Sequence, residues 1–267
     1  MKRREFIAEF AGATAALLAQ PLIASAQQAE QVRRISLLLP FSADDAEAQV
    51  RVGAFLQALA LLGWTIGRNV RIDTRWAAAD AAEIRKHAAE LTALNPDVIL
   101  AHGSSTVGPL LQATRTVPVV FPVVADPVGS GFVDNLARPG GNATGFMVFE
   151  YSLSGKWLEL LKQIAPGVTR VAVLRDATQG SGNSQFAAIQ TVALSLRVEV
   201  NPLNMRDAGE IERAITAFAH PANGGLIATS SAATALHRAL ILGLAQTPHR
   251  LLRALLRRCR CPDLLWA

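Results

Sequence analysis

Short, continuous apolar runs take turns along this chain with longer segments whose apolar residues recur every three or four positions. The first pattern predicts buried strands and the second predicts amphipathic helices. Strands are expected at 34–40, 70–75, 97–101, 117–121 and 142–148, and again at 170–174, 198–200 and 225–229. Helices are expected between them, at 44–62, 81–94 and 107–114, then at 156–164, 185–196, 207–219 and 232–244. In the first helix Val50, Ala54, Leu56, Leu59 and Leu62 fall near one face, and Gly63 ends it. Asn95-Pro96 stops the second.

Strict alternation of strand and helix implies parallel sheets with helices on both faces, so the fold class is α/β. A segment rich in Pro and Gly, 138–155, reads as the connection between two such units. The expected organisation is a leader at 1–26, an N-terminal α/β lobe at 32–146, a second α/β lobe at 147–245, and a basic tail at 246–267.

The leader has the marks of an export signal. Lys2-Arg3-Arg4 form a positive start, Phe6 to Ile23 an apolar stretch, and Ala24-Ser25-Ala26 a small-residue cleavage site after Ala26. Arg3-Arg4-Glu5-Phe6-Ile7 also fits the twin-arginine pattern. Glu9 interrupts the apolar run, and no other stretch is long and uncharged enough to span a bilayer. Stable membrane insertion is therefore not expected, and the localisation is periplasmic.

Charge changes the picture less than it first suggests. The chain carries a formal +5, but the body from 27 to 235 holds 17 basic and 18 acidic residues. The excess sits in the leader and in six arginines between 238 and 260. A nucleic-acid partner needs a basic face on the folded domain, so none is expected. The two cysteines, Cys259 and Cys261, lie in the tail, and a lone C-x-C falls short of a four-ligand zinc site. No metal and no cofactor are expected.

Ligands of parallel α/β sheets bind where strands end and helices begin. That rule nominates Ser42 after the first strand, Ser104, Ser105 and Thr106 after the third, and Asp126 after the fourth. In the second half it nominates Asp176 and Ser230. Hydroxyls beside backbone N–H groups suit a carboxylate. The same residue types also serve as helix caps or turn formers, as Ser104, Ser105, Asp44 and Asp126 equally could. Phosphate cradles and the nucleophile elbow are missing from the sequence. His102 and Ser104 are too close along one loop for a triad.

Several stretches resemble one family, the substrate-binding proteins of ABC transporters typified by tryptophan- and tyrosine-binding lipoproteins. They include Leu62-Gly63-Trp64, Gly67-Arg68-Asn69-Val70, Asn95-Pro96-Asp97-Val98-Ile99 and Asp126-Pro127-Val128-Gly129-Ser130-Gly131-Phe132. The most specific is Leu136-Ala137-Arg138-Pro139-Gly140-Gly141-Asn142-Ala143-Thr144-Gly145-Phe146. The resemblance spans roughly 32–245. It implies a type I periplasmic-binding-protein-like fold, two lobes closing by a hinge on a small-molecule solute, and ABC permease subunits as partners. It implies binding without catalysis by a monomer; a secreted α/β hydrolase using the same loops is the alternative.

After residue 245 the chain departs from the pattern. Its Arg, Leu and Cys content resembles an out-of-frame reading of GC-rich DNA, and codons can be chosen for 259–267 that, shifted by one base, encode a family-like segment. A frameshift near 246–250, and with it an incomplete second lobe, is the expectation.

Overall fold

The computed structural model describes residues 32–220 and 223–246. The leader read at 1–26, and the tail beyond Gln246 with the frameshift expected near 246–250, lie outside these residues.

Among the described residues eight strands form two parallel sheets. The first contains β1 (Arg33–Leu39), β2 (Val70–Trp76), β3 (Val98–Ala101), β4 (Val119–Val124) and β5 (Ala143–Met147), in the order β2-β1-β3-β4-β5. β1 pairs with β2 from Arg33↔Val70 to Leu39↔Trp76 and with β3 on its other side. The second contains β6 (Arg170–Arg175), β7 (Glu199–Asn204) and β8 (Gly224–Ala228), in the order β7-β6-β8 among the described residues. The first lobe carries α1 (Ala46–Leu61), α2 (Ala81–Ala93) and α3 (Ser104–Ala113). The second carries α4 (Ser154–Ile164), α5 (Gly180–Ala193), α6 (Ala208–Ala219), α7 (Ala232–Leu236) and α8 (Arg238–Gln246).

The alternation along β1 explains the layers. Leu37 and Leu39 pack with Phe41 and Ala48 on the α1 side. Leu38 faces the other way, with Ile99, Ala101, Val119 and Phe121, against Ile84 and Leu91 of α2 and Leu110 of α3. A strand buried on both faces is nearly all apolar, which is why β1 reads as an almost continuous run, with Ser36 its one buried polar residue. Each such leucine contributes about 1.5–3 kcal/mol on burial. In the second lobe Val171 and Val173 meet Leu158, Phe186 and Ile189 on one face. Leu174 meets Met205, Ile211, Ile215 and Ile241 on the other. Gly145 allows β5 to lie close to β4, because a Cβ there would sit 2.0 Å from the Phe121 carbonyl oxygen.

The lobes are joined through residues 148–153, the one covalent crossing among the described residues. Val148 N–H donates to the Val124 carbonyl (2.9 Å), and Asp126 N–H to the Phe149 carbonyl (2.9 Å). Phe149 then packs edge-on against Trp157 of α4, with centroids 5.4 Å apart.

Several boundaries differ from the expectation; β4 and β7 run on to Val124 and Asn204, past the expected 121 and 200. α3 starts at Ser104 and not at 107, α5 starts at Gly180 and not at 185, and the last expected helix breaks at His237. The earlier start of α3 turns the 104–106 loop into a helical turn.

Candidate functional site

In each sheet the chain reverses direction about one strand, β1 in the first and β6 in the second. Ligands of open parallel sheets settle outside the strand C-termini at such points. Both sheets present those ends to one cleft of about 360 Å³. The first lobe lines it with Ser104 and Ser105 from α3, Arg85 from α2, and Ser130 and Phe132 from the β4–β5 connection. The second lobe lines it with Thr178 to Ser181, at the start of α5, and the crossing adds Tyr151. Arg85 is the only charged side chain in this lining.

Two helix N-termini meet in the cleft without side-chain caps. α3 begins after Gly103, held at φ +82°, and α5 begins after Gln179; neither residue's side chain accepts from the first turn. The N–H groups of Thr106 and Gly182 turn back to the Gly103 and Gln179 carbonyls. The first N–H groups of both helices, with the positive ends of their dipoles, are left for a guest. Opposed ends of this kind, with Arg85 beside them, suit a carboxylate.

Ser104 and Ser105 therefore lie in the cleft lining. The other nominated residues do not, and each has local work. Thr106 is buried, its hydroxyl donating to the carbonyls of His102 (3.1 Å) and Gly103 (3.0 Å). Ser42 donates to Asp44 within its loop. Asp126, in the left-handed region at φ +42°, accepts from Gly129 N–H (2.7 Å) and Tyr151 N–H (3.3 Å), so it shapes the start of the crossing. Asp176 accepts from the Thr178 N–H (3.0 Å) and hydroxyl (2.6 Å), forming the turn into α5. The Ser230 backbone is tied to buried Gln185, N–H to Oε1 at 3.0 Å and carbonyl to Nε2 at 3.3 Å.

His102 sits behind the cleft, edge-on to Phe41 with centroids 4.9 Å apart. Burial, and then the positive Arg51, push it down to about 4, so it is neutral at pH 7. Sequence reasoning missed Arg85, the Gly180-Ser181 pair, and Tyr151, whose hydroxyl meets Ser130 at 2.6 Å. The Gly-Ser-Gly run just after a strand end was the available signal for the second of these. No helix among the described residues is long and apolar enough to cross a membrane, and no cluster among them could hold a metal ion.

Residues 35–246 match the family described as ABC transporter substrate binding protein. The chain belongs to that family. A tyrosine-binding protein of Clostridioides difficile is 27% identical to this chain over 164 residues, 61% of this chain and 47% of the relative. The chain thus spans about half the length of that curated relative. Among solved structures, an ABC domain from Streptococcus pneumoniae in complex with L-Trp superposes with a TM-score of 0.70 at 20% identity, covering 81% of this chain and 71% of that one. A conserved domain protein from Vibrio cholerae gives 0.71 at 23% identity, covering 80% and 71%. At these identities the superpositions establish a shared α/β fold.

Proposed function

We propose that this chain is the solute-receiving component of an ABC-type importer and that it closes on a small carboxylate, an α-amino acid or an aromatic acid. The observation that carries the reading is the cleft itself, with two uncapped helix N-termini facing it from opposite lobes and Arg85 as its only charge. The cleft's size falls within the range of small-ligand sites. Phe132 and Tyr151 supply apolar surface for a side chain. The curated relative is named for tyrosine and the pneumococcal domain holds L-Trp, both solutes with a carboxylate and an aromatic ring. Ser104, Ser105, Gly180 and Ser181 would hold the carboxylate; Thr106, Asp126, Asp176 and Ser230 would hold the loops that present them.

The leader read at 1–26 supports work in the periplasm as a monomer that hands its solute to permease subunits. The reading assigns binding and no catalytic step, so every candidate residue is a contact and none a nucleophile or base.

The test is thermal unfolding of the full chain against L-Trp, L-Tyr, L-Leu and benzoate, each paired with its carboxamide, which lacks the carboxylate. A solute that binds the native state raises Tm with concentration, by about 2.7 kcal/mol of stability at a hundred times Kd. We expect a shift with one class of acid and none with its amide. Equal shifts from acid and amide, or no shift from any carboxylate, would refute the reading.

A further inference from the structure

The crossing at 148–153 leaves from β5, at one margin of the first sheet. A separate contact joins the lobes three strands away, at β1. There the corner between α7 and α8 reaches across from the second lobe. Ala235 packs into the cluster formed by Leu37, Leu39, Phe41 and Ala48. Arg238 places Nη1 3.3 Å from Asp45 Oδ2 and 3.8 Å from Glu47 Oε2. Behind this corner α8 is anchored in its own lobe, with Ile241, Leu240 and Leu244 against Leu174, Ile211 and Ile215.

The two oxygens of Asp45 are divided between the lobes. Oδ1 caps α1 by accepting from Ala48 N–H at 3.0 Å, and Oδ2 takes Arg238. The Asp45 side chain is only 16% exposed, so the pair is less screened than most surface ion pairs. The contact lies about 14 Å from β5, at roughly 4.8 Å per strand. A contact that far from the crossing has the leverage to set how far the lobes open, where one beside it would not.

We propose that Arg238 is a positioning residue: by pairing with Asp45 and Glu47 opposite the crossing, it latches the lobes together without solute and so sets solute affinity without touching solute. The affinity half of this rests on the solute-binding reading; the latch itself does not. A contact that favours the closed arrangement raises the fraction of chains able to grip a solute, and apparent affinity scales with that fraction. Arg238 does not line the cleft, so a change there acts only through that equilibrium.

The experiment is small-angle X-ray scattering of the full chain without solute. Arg238→Ala should enlarge the radius of gyration, and Arg238→Glu, which faces Asp45 and Glu47 with a like charge, should enlarge it further. Adding Glu47→Arg to the Arg238→Glu chain should bring it back toward the starting value. The unaltered chain should also expand in about 1 M salt, where the screening length falls to about 3 Å. Where a solute has been identified, Arg238→Ala should weaken its binding by up to about fivefold, the range of partly exposed ion pairs. An Arg238→Ala chain that melts cooperatively yet scatters like the original overturns the latch. If that variant does not fold, the unaltered chain's failure to expand in high salt overturns it equally. Because scattering is measured without solute, failure of the solute screen leaves the latch standing or falling on its own result.

Discussion

The helices α1, α2, α6 and α7 begin on the side chains of Asp45, Asp80, Asp207 and Ser231, each of which accepts from its own first turn. The helices α3 and α5 begin on Gly103 and Gln179 and have no such acceptor. A side-chain cap is typically worth about 1 kcal/mol to a helix, and these two ends give up that stability; α4 also lacks a side-chain cap, but it runs on from the 3-10 turn Tyr151–Leu153. The two are also the pair whose first turns line one cleft from opposite lobes. Among these six, the local rule is kept where a side chain supplies the acceptor and, on the reading proposed above, broken where an outside acceptor would be received. The comparison teaches that a helix end without its own acceptor is informative only in company: either end alone would be an irregularity, and both together carry the proposed seat for an anion.

The largest effect should follow from giving an open end an acid of its own. Ser105→Asp places a carboxylate in the first turn of α3, where it favours the helix and opposes a solute carboxylate. Like charges brought together at a binding site cost several kcal/mol. We expect affinity for the solute found by the thermal screen to fall at least about 100-fold by calorimetric titration. Tm should hold or rise slightly, since acids in a first turn are favourable. Retained affinity would break the comparison, because the open end would then not be where the anion sits.

The second effect concerns how α5 comes to start where it does, and it shows where the sequence was legible. The strands were readable because a sheet buried on both faces demands unbroken apolar runs such as Leu37-Leu38-Leu39 and Val171-Ala172-Val173-Leu174. The strand-end rule then pointed at the end of each sheet where the cleft lies. It could not tell Ser104 and Ser105, which line the cleft, from Asp176 and Ser230, which brace it, because both kinds are polar residues after a strand. The start of α5 was illegible for a different reason. Gly180-Ser181-Gly182-Asn183-Ser184 has loop composition, and its propensity is overruled by packing. Gly182 is buried, and a Cβ on it would lie 2.5 Å from the Asp176 carbonyl oxygen. Arg175 clasps the same turn, Nη1 to Asn183 Oδ1 at 2.6 Å. Gly182→Ala should therefore displace the turn, lowering stability by about 1–3 kcal/mol, the range of overpacked sites. Denaturant unfolding would show the loss, and solute affinity should weaken with it because Gly180 and Ser181 move too. An alanine variant as stable as the original would mean the turn has slack, and that composition alone does not explain the missed boundary.

The smallest effect separates the capped ends by pH. Asp80 Oδ1 accepts from Ala82 N–H (2.7 Å) and Glu83 N–H (3.0 Å), and these bonds, Glu83's foremost, hold its carboxyl below the ordinary value of 3.8. Asp45 is held down in the same way, first by Ala48 N–H and further by Arg238. A carboxylate with a lowered folded-state value contributes its full stability above the unfolded value and loses it as pH falls through the folded one. Through these carboxylates Tm of the solute-free chain should thus be unaffected above about pH 5 and decline as pH drops below 3.8, beneath a separate loss that begins near 6.5, because buried His102 stays neutral down to about 4 while the unfolded chain takes up its proton. Asp80→Asn keeps a good cap but removes the titration, because asparagine caps as well as aspartate. It should match the original at neutral pH and decline less steeply in acid. The open ends of α3 and α5 have no capping carboxylate to protonate, so they add nothing to this slope. If Asp80→Asn declines as steeply as the original, the acid sensitivity comes from other carboxylates, such as Asp97 between Arg33 and the Arg34 N–H, and the contrast between capped and open ends would then rest on geometry and binding alone.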